Sequence, residues 1–420
     1  MLKSRLKSRV VQGLVGVGPR LLKLRRLLPG RAGAALFCDP LDAHSWLLAV
    51  ALWRERTRLP KQFELHWVRA PEPALDPEPQ LRVRHASRDV RLLAELFELG
   101  LGPRLKELDP QAALAAAADS LRGSSGLERL EATAAGASGV FAADAPPQAV
   151  DYSNASGCLR AEMDGGSATL RKLGHYQGAM LYDRGAWYWG VDRLPLWLAG
   201  AAGGAVTQRE AEVFRPRPAA ELPPELRRAA SELRVYFSFR SPYSYLALNR
   251  AAQLSERYQV ALEPHPVLPM VMRGLAVPPL KKFYLLFDAA REARRLGIPF
   301  GRITDPVGPG AERCLAAFSV ASEAQRVAFA SRAMQAIWSE GVDVASDAGL
   351  RVVCEATGVA WTRVQAAIAA EAWRELAVTN REQLSGLGLW GVPSFQLGAH
   401  VLWGQDRLRV LERLLQVTSR

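Results

Sequence analysis

The sequence predicts an α/β protein of two tandem domains, each with a mixed β-sheet and a helical insertion. Two segments, 174–194 and 388–408, end alike in a Trp-Gly pair followed by x-Asp-Arg-Leu. A second similarity lies upstream, where AHSWLLAVALWRE (43–55) parallels PYSYLALNRAAQL (242–254). Because both pairs occur in the same order, about 200 residues apart, they indicate a tandem duplication that sets the organisation of the chain.

The first domain is predicted over residues 31–213. Short apolar runs bounded by turn residues predict two strands, and the run between them has helical periodicity. In chain order these segments are GAALFCDP, HSWLLAVALWRERT and KQFELHWVRAP. Helical patterns fill about 87–135, whereas the Gly-, Ser- and Ala-rich stretch 136–170 is expected to be irregular. A hairpin at 178–190 and a short helix complete the domain.

The second domain is predicted over residues 230–420, after a Pro-rich, charged linker at 214–229. The strand–helix–strand pattern restarts with ELRVYFSF, SPYSYLALNRAAQLSERY and QVALEPHPVL. A helical region over 279–375, interrupted near GIPFGRITDPVGPG, precedes the hairpin GVPSFQLGAHVLWG and a last helix. A parallel strand pair needs a crossover helix and an antiparallel pair only a turn, so this order predicts a thioredoxin-like fold in both domains.

Composition narrows the function classes. With 49% hydrophobic and 23% charged residues the chain is globular, and no apolar run reaches the ~18–20 residues needed to cross a bilayer. The net charge is +12, but outside the N-terminus basic and acidic residues alternate, so nucleic-acid binding is not expected. The four cysteines form no C-x-x-C and have no metal-ligand spacing. They predict a reducing, cytoplasmic compartment and no metal site.

Residues 1–30 form a basic segment with predicted helical character. Lys and Arg are frequent there, and no acidic residue occurs before Asp39. A surface helix leading into the first strand is one interpretation. A basic amphipathic helix making weak contact with an anionic membrane surface is the other.

Ser241 and Pro242 follow a predicted strand and begin a predicted helix. Pro242 suits the first helical turn, where a missing N–H costs nothing, and this makes Ser241 the N-cap. Free amides and the positive end of the helix dipole then favour an anion beside the Ser241 hydroxyl. A thiolate is such an anion. Ordinary helix capping explains the same Ser-Pro pair without a ligand.

Pro393 begins the closing hairpin of the second domain in the segment GVPSF. A proline that presents the preceding residue beside a helix start can be cis. Val392 would then offer its N–H and C=O to an extended, peptide-like ligand, as an added strand does. Gln405 and Asp406 open the last helix, where they are placed to bind an ammonium group; for Asp406, simple helix capping is the alternative.

Together these segments resemble a known family. YFSFRSPYSYL, PPLKKFYLLFD, Asn380, GVPSF and WGQDRL resemble, in order and spacing, the 2-hydroxychromene-2-carboxylate isomerases and kappa-class glutathione transferases. These are DsbA-related proteins of thioredoxin fold, and the resemblance covers about residues 233–416. It implies a small-molecule substrate and glutathione as cosubstrate.

The resemblance also implies roles for single residues. Ser241 would hydrogen-bond the glutathione sulfur and stabilise its thiolate, and Lys281 would lie beside the glycyl end of glutathione or the substrate carboxylate. Val392 and Pro393 would pair with the cysteinyl backbone. The remaining implied contacts are Gln405 and Asp406 at the γ-glutamyl group, with Pro242 and Asn380 also in the binding site.

Two departures bear on the activity. Ala276 stands where the family often has Asn, and Ser241 and Ser244 stand where a disulfide oxidoreductase has its two cysteines. DsbA-type dithiol exchange is therefore disfavoured. The sequence predicts a glutathione-dependent isomerase acting on an aromatic-derived electrophile. The alternatives are a kappa-class-like transferase and a non-catalytic binding or scaffold protein.

The first domain is predicted to be a degenerate copy. Asp42 stands opposite Ser241, and a carboxylate there would repel a thiolate. Aligned on the Trp-Gly pairs, with one residue missing from the turn, Met180 falls opposite Pro393. We expect this copy to pack against the second as a pseudo-dimer within one chain.

Overall fold

The computed structural model describes residues 33–102, 105–145, 149–202, 205–227, 232–275, 277–371 and 373–418. These residues divide into two compact units, which meet in the chain at Leu222 and Pro223. The predicted basic helix at 1–30, with its membrane contact, and the departure at Ala276 lie outside the described residues. Among the described helices, none is long and apolar enough to cross a membrane.

The first unit contains a four-stranded sheet in the order β2-β1-β3-β4. Its strands are β1 (Ala35–Cys38), β2 (Glu64–Trp67), β3 (Met180–Asp183) and β4 (Ala186–Trp189). β1 is parallel to β2 and antiparallel to β3, and β3 and β4 form a hairpin. The helices are α1 (Ala43–Arg54), α2 (Pro79–Leu96), α3 (Pro110–Ser120), α4 (Gly126–Val140), α5 (Gly157–Lys172), α6 (Leu194–Ala202) and α7 (Val206–Val213).

The stretch 136–170 is mostly helical, so the expectation that it is irregular was wrong. α4 continues to Val140, and α5 begins after Ser156, whose hydroxyl accepts a hydrogen bond from a backbone N–H of the first turn. Glycine lowers helix propensity, but at Gly166 it lets α5 approach β2, since a Cβ there would clash with the Trp67 carbonyl oxygen. Tertiary packing therefore overrides the local preference.

The second unit contains a sheet with the same strand order and directions, β6-β5-β7-β8. Its strands are β5 (Glu232–Phe237), β6 (Ala261–Pro266), β7 (Ser394–Leu397) and β8 (His400–Trp403). The helices are α8 (Pro242–Tyr258), α9 (Pro279–Leu296), α10 (Pro309–Val320), α11 (Glu323–Gln335), α12 (Asp347–Thr357), α13 (Trp361–Ala369), α14 (Trp373–Gly386) and α15 (Leu408–Thr418). The predicted helical insertion, with its interruption before α10, is confirmed.

An apolar cluster supports the start of the second hairpin. Val392 and Trp403 pack against buried side chains from β5, from the segment after β6, from α14 and from the loop that follows α14. The buried members are Tyr236, Val267, Leu384 and Leu389. The loop that carries Pro393 therefore rests on a packed core, which fixes its position relative to the sheet.

The two hairpins show that the predicted register of the first one was wrong by one residue. Met180 pairs with the last residue of β4, as Ser394 pairs with the last residue of β8. Both turns have two residues, so no residue is missing. Ala179, with φ 53°, therefore takes the place of Pro393. The carbonyls of Ala179 and Pro393 each accept a 2.8 Å hydrogen bond from the glycine after the hairpin.

Candidate active site

Ser241 is the N-cap of α8, as predicted. Its backbone is extended, and its hydroxyl oxygen accepts a hydrogen bond from the Ser244 N–H at 3.1 Å. The same hydroxyl donates to the carbonyl oxygen of Val392 at 3.3 Å. Pro242 occupies the first helical position, where its missing N–H is not needed. The half-buried hydroxyl thus lies between the start of α8 and the loop before β7.

The Val392–Pro393 peptide bond is cis, as predicted. The loop before it is held by packing and by one short hydrogen bond. A Cβ at Gly391 would lie 2.5 Å from the Trp403 ring, so only glycine fits there, and the Ser394 hydroxyl donates to the Gly391 carbonyl at 2.8 Å. These contacts keep Val392 facing Ser241.

The backbone of Val392 is able to receive an extended ligand. Within the described ranges, the Ser241 hydroxyl is the only hydrogen-bond donor to its carbonyl, and its N–H has no hydrogen-bond partner. A half-buried N–H without a partner is costly unless a ligand or water satisfies it. The donor and acceptor of one residue are therefore both available beside the start of α8.

α9 is tied to α8 by a buried carboxylate. The Tyr243 hydroxyl, in the first turn of α8, donates to Asp288 at 2.7 Å, and Arg291 pairs with the same carboxylate at 2.6 Å. Lys281 lies in the first turn of α9 and is half-buried. The link between the helices therefore places Lys281 on an element that is fixed to the Ser241 helix.

Gln405 is buried in a polar network, so it does not face a ligand as the prediction assumed. Only 1% of the residue is exposed. Its carbonyl oxygen accepts from Arg250 at 2.9 Å, while its amide donates to Glu292 at 3.2 Å and also to Asp406. With its amide group fully engaged, Gln405 orients the half-buried Asp406 carboxylate, and Asp406 remains the candidate partner for an ammonium group.

Asn380 joins α14 to the edge strand β6. It is 2% exposed, its amide donates to the Pro266 carbonyl at 2.8 Å, and its side-chain oxygen lies 3.2 Å from the Nδ1 of His265. These contacts hold the end of β6 in place. The structure gives Asn380 no contact with Ser241 or Val392.

Two arginines near the site were not singled out by sequence reasoning. Arg240, directly before Ser241, forms a bidentate pair with Asp305 at 2.6 and 2.8 Å and so holds the loop before α10 beside the site. Arg273 donates to the Trp390 carbonyl at 2.8 Å. A charged residue within the apolar run PVLPMVMRGL was the sequence signal that could have drawn attention to Arg273. Its contact with Trp390 joins residues 117 positions apart, so the sequence did not reveal it.

The first unit carries acids at the equivalent position. Asp42 caps α1 and accepts a hydrogen bond from the Ser45 hydroxyl at 3.0 Å. Asp39, 1% exposed, accepts from the Tyr152 hydroxyl at 2.8 Å. Burial raises the pKa of Asp39 to about 6, with Arg82 opposing the shift and Asp42 adding to it. Asp42 therefore takes the place that Ser241 holds in the second unit, and a second carboxylate, bound by a tyrosine, lies three residues before it.

In the part of the chain that the structure describes, no set of side chains is arranged as the ligands of a metal ion. No group of three or more His, Cys, Asp or Glu side chains is placed to hold a metal ion there. The four cysteines are all free, and Cys38, Cys314 and Cys354 are buried. Burial raises the pKa of the Cys38 thiol, so this thiol is a poor nucleophile.

Comparison with known proteins agrees with this geometry. The model of the DSBA-like thioredoxin domain matches residues 232–416. This region is a DsbA-like thioredoxin domain. The match begins at the first residue of β5 and includes Ser241, the cis-proline loop and most of α15. The resemblance to DsbA-related proteins predicted from the sequence is therefore confirmed for the second unit.

Curated relatives of the DsbA-like domain are isomerases by name. The chain is 28% identical over 186 residues to a 2-hydroxychromene-2-carboxylate isomerase of Pseudomonas putida, covering 42% of this chain and 90% of that protein. A protein of the same name from Sphingobium xenophagum is 27% identical, with 43% and 95% covered. A solved 2-hydroxychromene-2-carboxylate isomerase structure matches with 26% identity and a TM-score of 0.38, covering 43% of this chain and 92% of that one.

Proposed function

We propose that the DsbA-like domain is a glutathione-dependent isomerase acting on an aromatic-derived electrophile. The observation that carries the proposal is the Ser241 hydroxyl, placed at the N-terminus of α8 and directed at the Val392 carbonyl at 3.3 Å. The names of the similar proteins support isomerisation as the reaction. Ser241 and Ser244 stand where a disulfide oxidoreductase has its two cysteines, and this disfavours disulfide exchange.

The residues present fit glutathione. Val392 offers an N–H and a C=O to the cysteinyl backbone, and the Ser241 hydroxyl can turn from the Val392 carbonyl to the sulfur. The hydrogen bond from Ser241 and the positive end of α8 both favour the thiolate over the thiol. The Val392 carbonyl would then be free to accept the cysteinyl N–H. Bound glutathione would supply a nucleophilic sulfur that adds to the electrophile and leaves again, so none is consumed.

The charged residues around Ser241 complete the proposed binding site. Asp406 supplies a carboxylate for the ammonium of the γ-glutamyl group, and Gln405 orients that carboxylate. Lys281 supplies a cation on α9 for a carboxylate of glutathione or of the substrate. The four free cysteines accord with a reducing, cytoplasmic setting, which we propose as the compartment.

We also propose that the first unit is a second thioredoxin-like domain without this activity. Its strand order and directions, the length of its hairpin turn and its helix cap at Asp42 support common ancestry with the second unit. Its acids at the equivalent position do not suit a thiolate. Glutathione is accordingly expected at one site per chain.

Titration with glutathione tests the proposal. Calorimetry should show binding to the full chain, and thiolate absorbance in the ultraviolet should appear at a pH below that of free glutathione. Ser241→Ala should weaken the thiolate signal near neutral pH and lower turnover by about 100-fold, because the hydroxyl that would donate to the sulfur is lost. Ser346→Ala, which removes the N-cap of α12, is the matched control for lost helix capping and should leave binding unchanged.

The outcome separates the candidate functions. Isomerisation of a hydroxychromene carboxylate without loss of glutathione supports the proposal, whereas release of a glutathione conjugate from a generic electrophile indicates a transferase. Absence of binding at millimolar glutathione would refute the enzyme and indicate a scaffold protein.

A further inference from the structure

The first half of α9 carries two exposed aromatic rings that the proposed mechanism does not use. Phe283 is 49% exposed and Phe287 is 37% exposed. The two rings stack on each other, with centroids 6.5 Å apart and an interplanar angle of 19°. Scattered exposed apolar side chains are ordinary, whereas these two adjoin and form one apolar surface, here named the Phe283–Phe287 patch.

The Phe283–Phe287 patch lies on the outer face of α9. The two phenylalanines and Arg294 are spaced by four and seven residues, so they share one face of the helix. The buried residues of α9 belong to its other face; they are Asp288, Ala289, Glu292 and Ala293. The patch is therefore turned away from the side by which α9 packs on its own unit.

The exposed charges beside the patch are positive. Lys282 is next to the first ring, and Arg294 lies two helical turns beyond the second. Both are exposed, and neither has an ion-pair partner in the part of the chain that the structure describes. The acids of α9, Asp288 and Glu292, are 3% and 1% exposed, and each pairs with an arginine of the same helix. The outer face of α9 thus combines aromatic rings with positive charge that no acid of the helix offsets.

The corresponding helix of the first unit lacks such a patch. In that unit His44 lies 3.3 Å from Asp89 of α2, as the tyrosine in the first turn of α8 contacts the aspartate of α9 in the second. Counted back from these two aspartates, Arg84 and Arg88 take the places of the two phenylalanines, and both are exposed. The fold therefore does not require aromatic side chains at these positions, and the patch is a property of the second unit.

We propose that the Phe283–Phe287 patch docks on an anionic membrane surface. The two rings would lie at the boundary of headgroups and acyl chains, with Lys282 and Arg294 against the lipid phosphates. Aromatic rings beside lysine and arginine on one helix face are the combination that binds such a surface. This inference does not depend on the proposed function, and it concerns a surface other than residues 1–30.

The size of the patch favours a membrane over a protein partner. A stable protein complex buries about 800 Å² on each partner, which is far more than two rings one helical turn apart provide. Reversible contact with a membrane needs only a few apolar side chains, because each inserts independently and neighbouring cations add attraction to anionic lipid. A helix face with two rings and two cations meets that smaller requirement.

Co-sedimentation of the full chain with lipid vesicles tests the inference. Vesicles of phosphatidylcholine with phosphatidylserine carry negative charge, and vesicles of phosphatidylcholine alone are the neutral reference. Wild type should bind the charged vesicles about 10-fold more tightly than the neutral ones, and added salt should reduce this difference. Lys282→Gln/Arg294→Gln should weaken binding to the charged vesicles about 10-fold, because two attractive charges are lost.

The decisive variant gives the patch the residues of the first unit. Phe283→Arg/Phe287→Arg adds two positive charges, so attraction by charge alone would tighten binding to the charged vesicles. Loss of ring insertion should instead weaken it about 10-fold. The matched control is Val352→Arg/Val378→Arg, which makes the same exchange at two exposed apolar residues of α12 and α14. This control should bind at least as tightly as wild type.

Every outcome supports or overturns the inference. It is overturned if wild type does not bind the charged vesicles, or if Phe283→Arg/Phe287→Arg binds them as tightly as wild type or more so. The second result would assign vesicle binding to charge alone, as the basic residues of 1–30 would provide. Self-association that this variant loses, seen by sedimentation velocity without vesicle binding, would assign the patch to a second copy of the chain. If the variant does not fold, Phe283→Gln/Phe287→Gln, which changes no charge, decides by the same comparison.

Discussion

The two units share a backbone arrangement at the end of the first strand and differ in the side chains placed there. In the second unit, Ser241 caps α8 and reaches the Val392 carbonyl. In the first, Asp42 caps α1, and Asp39 beside it is closed off by the Tyr152 hydroxyl. Serine and aspartate are both good N-caps. The shared cap shows that the helix start belongs to the fold. Under the proposed function, the choice of cap decides whether a thiolate is favoured there.

A stacked pair of aromatic rings on the two parallel strands is common to both units. Phe37 on β1 stacks on His66 of β2 with ring centroids 5.1 Å apart, and Tyr236 on β5 stacks on His265 of β6 at 4.9 Å. Both pairs are directly opposite in the parallel register. Because these pairs occur in both units, they are part of how the sheet is built and carry no information about the reaction.

The largest expected effect comes from giving the second unit the cap of the first. Ser241→Asp should keep α8 intact, since aspartate caps as well as serine. The added carboxylate should raise the pKa of bound glutathione by about two units, which is about 100-fold less thiolate near neutral pH. Ultraviolet titration of the thiolate in the complex measures the shift.

Ser346→Asp at the start of α12 is the matched control, because it makes the same exchange at an N-cap away from the site. Both variants should unfold at the wild-type temperature within a few degrees. If Ser241→Asp left the thiolate titration unchanged, the distinction drawn between the two units would be lost.

A smaller effect is expected from the network that only the second unit has. The residue after the Gly of the Trp-Gly pair is Gln405 in the second unit and Val191 in the first. Gln405→Ala leaves Arg250 and Glu292 without their shared partner in a buried site. We expect a loss of about 2–3 kcal/mol in the free energy of unfolding, measured in urea.

The control for this network is Gln416→Ala, an exposed glutamine near the far end of α15, which should cost less than about 0.5 kcal/mol. A loss of that small size for Gln405→Ala would show that the network is not a buried polar unit. Weaker glutathione binding without a loss of stability would instead indicate that Gln405 contacts the ligand directly.

The parts of the fold that were predictable depend on local patterns. Apolar runs ended by turn residues gave the strands, and Ser-Pro at a helix start predicted the cap at Ser241. The cis-proline at Pro393 followed from its place at the start of a hairpin opposite that cap. Each of these features is set by neighbouring residues, so a single sequence is enough to find it.

The parts that were not predictable depend on contacts distant in the chain. Tyr152 closes off Asp39 across 113 residues, and neither residue signals the other. Helix α5 forms despite its glycines because Gly166 packs against β2. The hairpin of the first unit was misaligned with that of the second because the residues around its turn favoured a one-residue gap. The strand pairing instead gives both hairpins turns of equal length.

The smallest expected effect tests the acidic site of the first unit. Burial raises the pKa of Asp39 from 3.8 to about 6. Because the folded-state pKa is raised, the folded protein binds more protons than the unfolded chain between these two values. The stability contributed by the protonated form is therefore present below about pH 4 and is lost as the pH rises through about 6.

Asp39→Asn should remove this pH dependence, because asparagine stays neutral and its oxygen can still accept from Tyr152. Near pH 7 the first unit of the variant should be about 1–2 kcal/mol more stable than wild type, and near pH 4 the two should be equal. Hydrogen-exchange mass spectrometry reports the first unit separately from the second. Asp144→Asn, an exposed acid of the same unit, should show no such difference. Equal stability of Asp39→Asn and wild type at both pH values would mean that the Asp39 carboxylate is ionised without cost, and the first unit could then tolerate a further anion at this position.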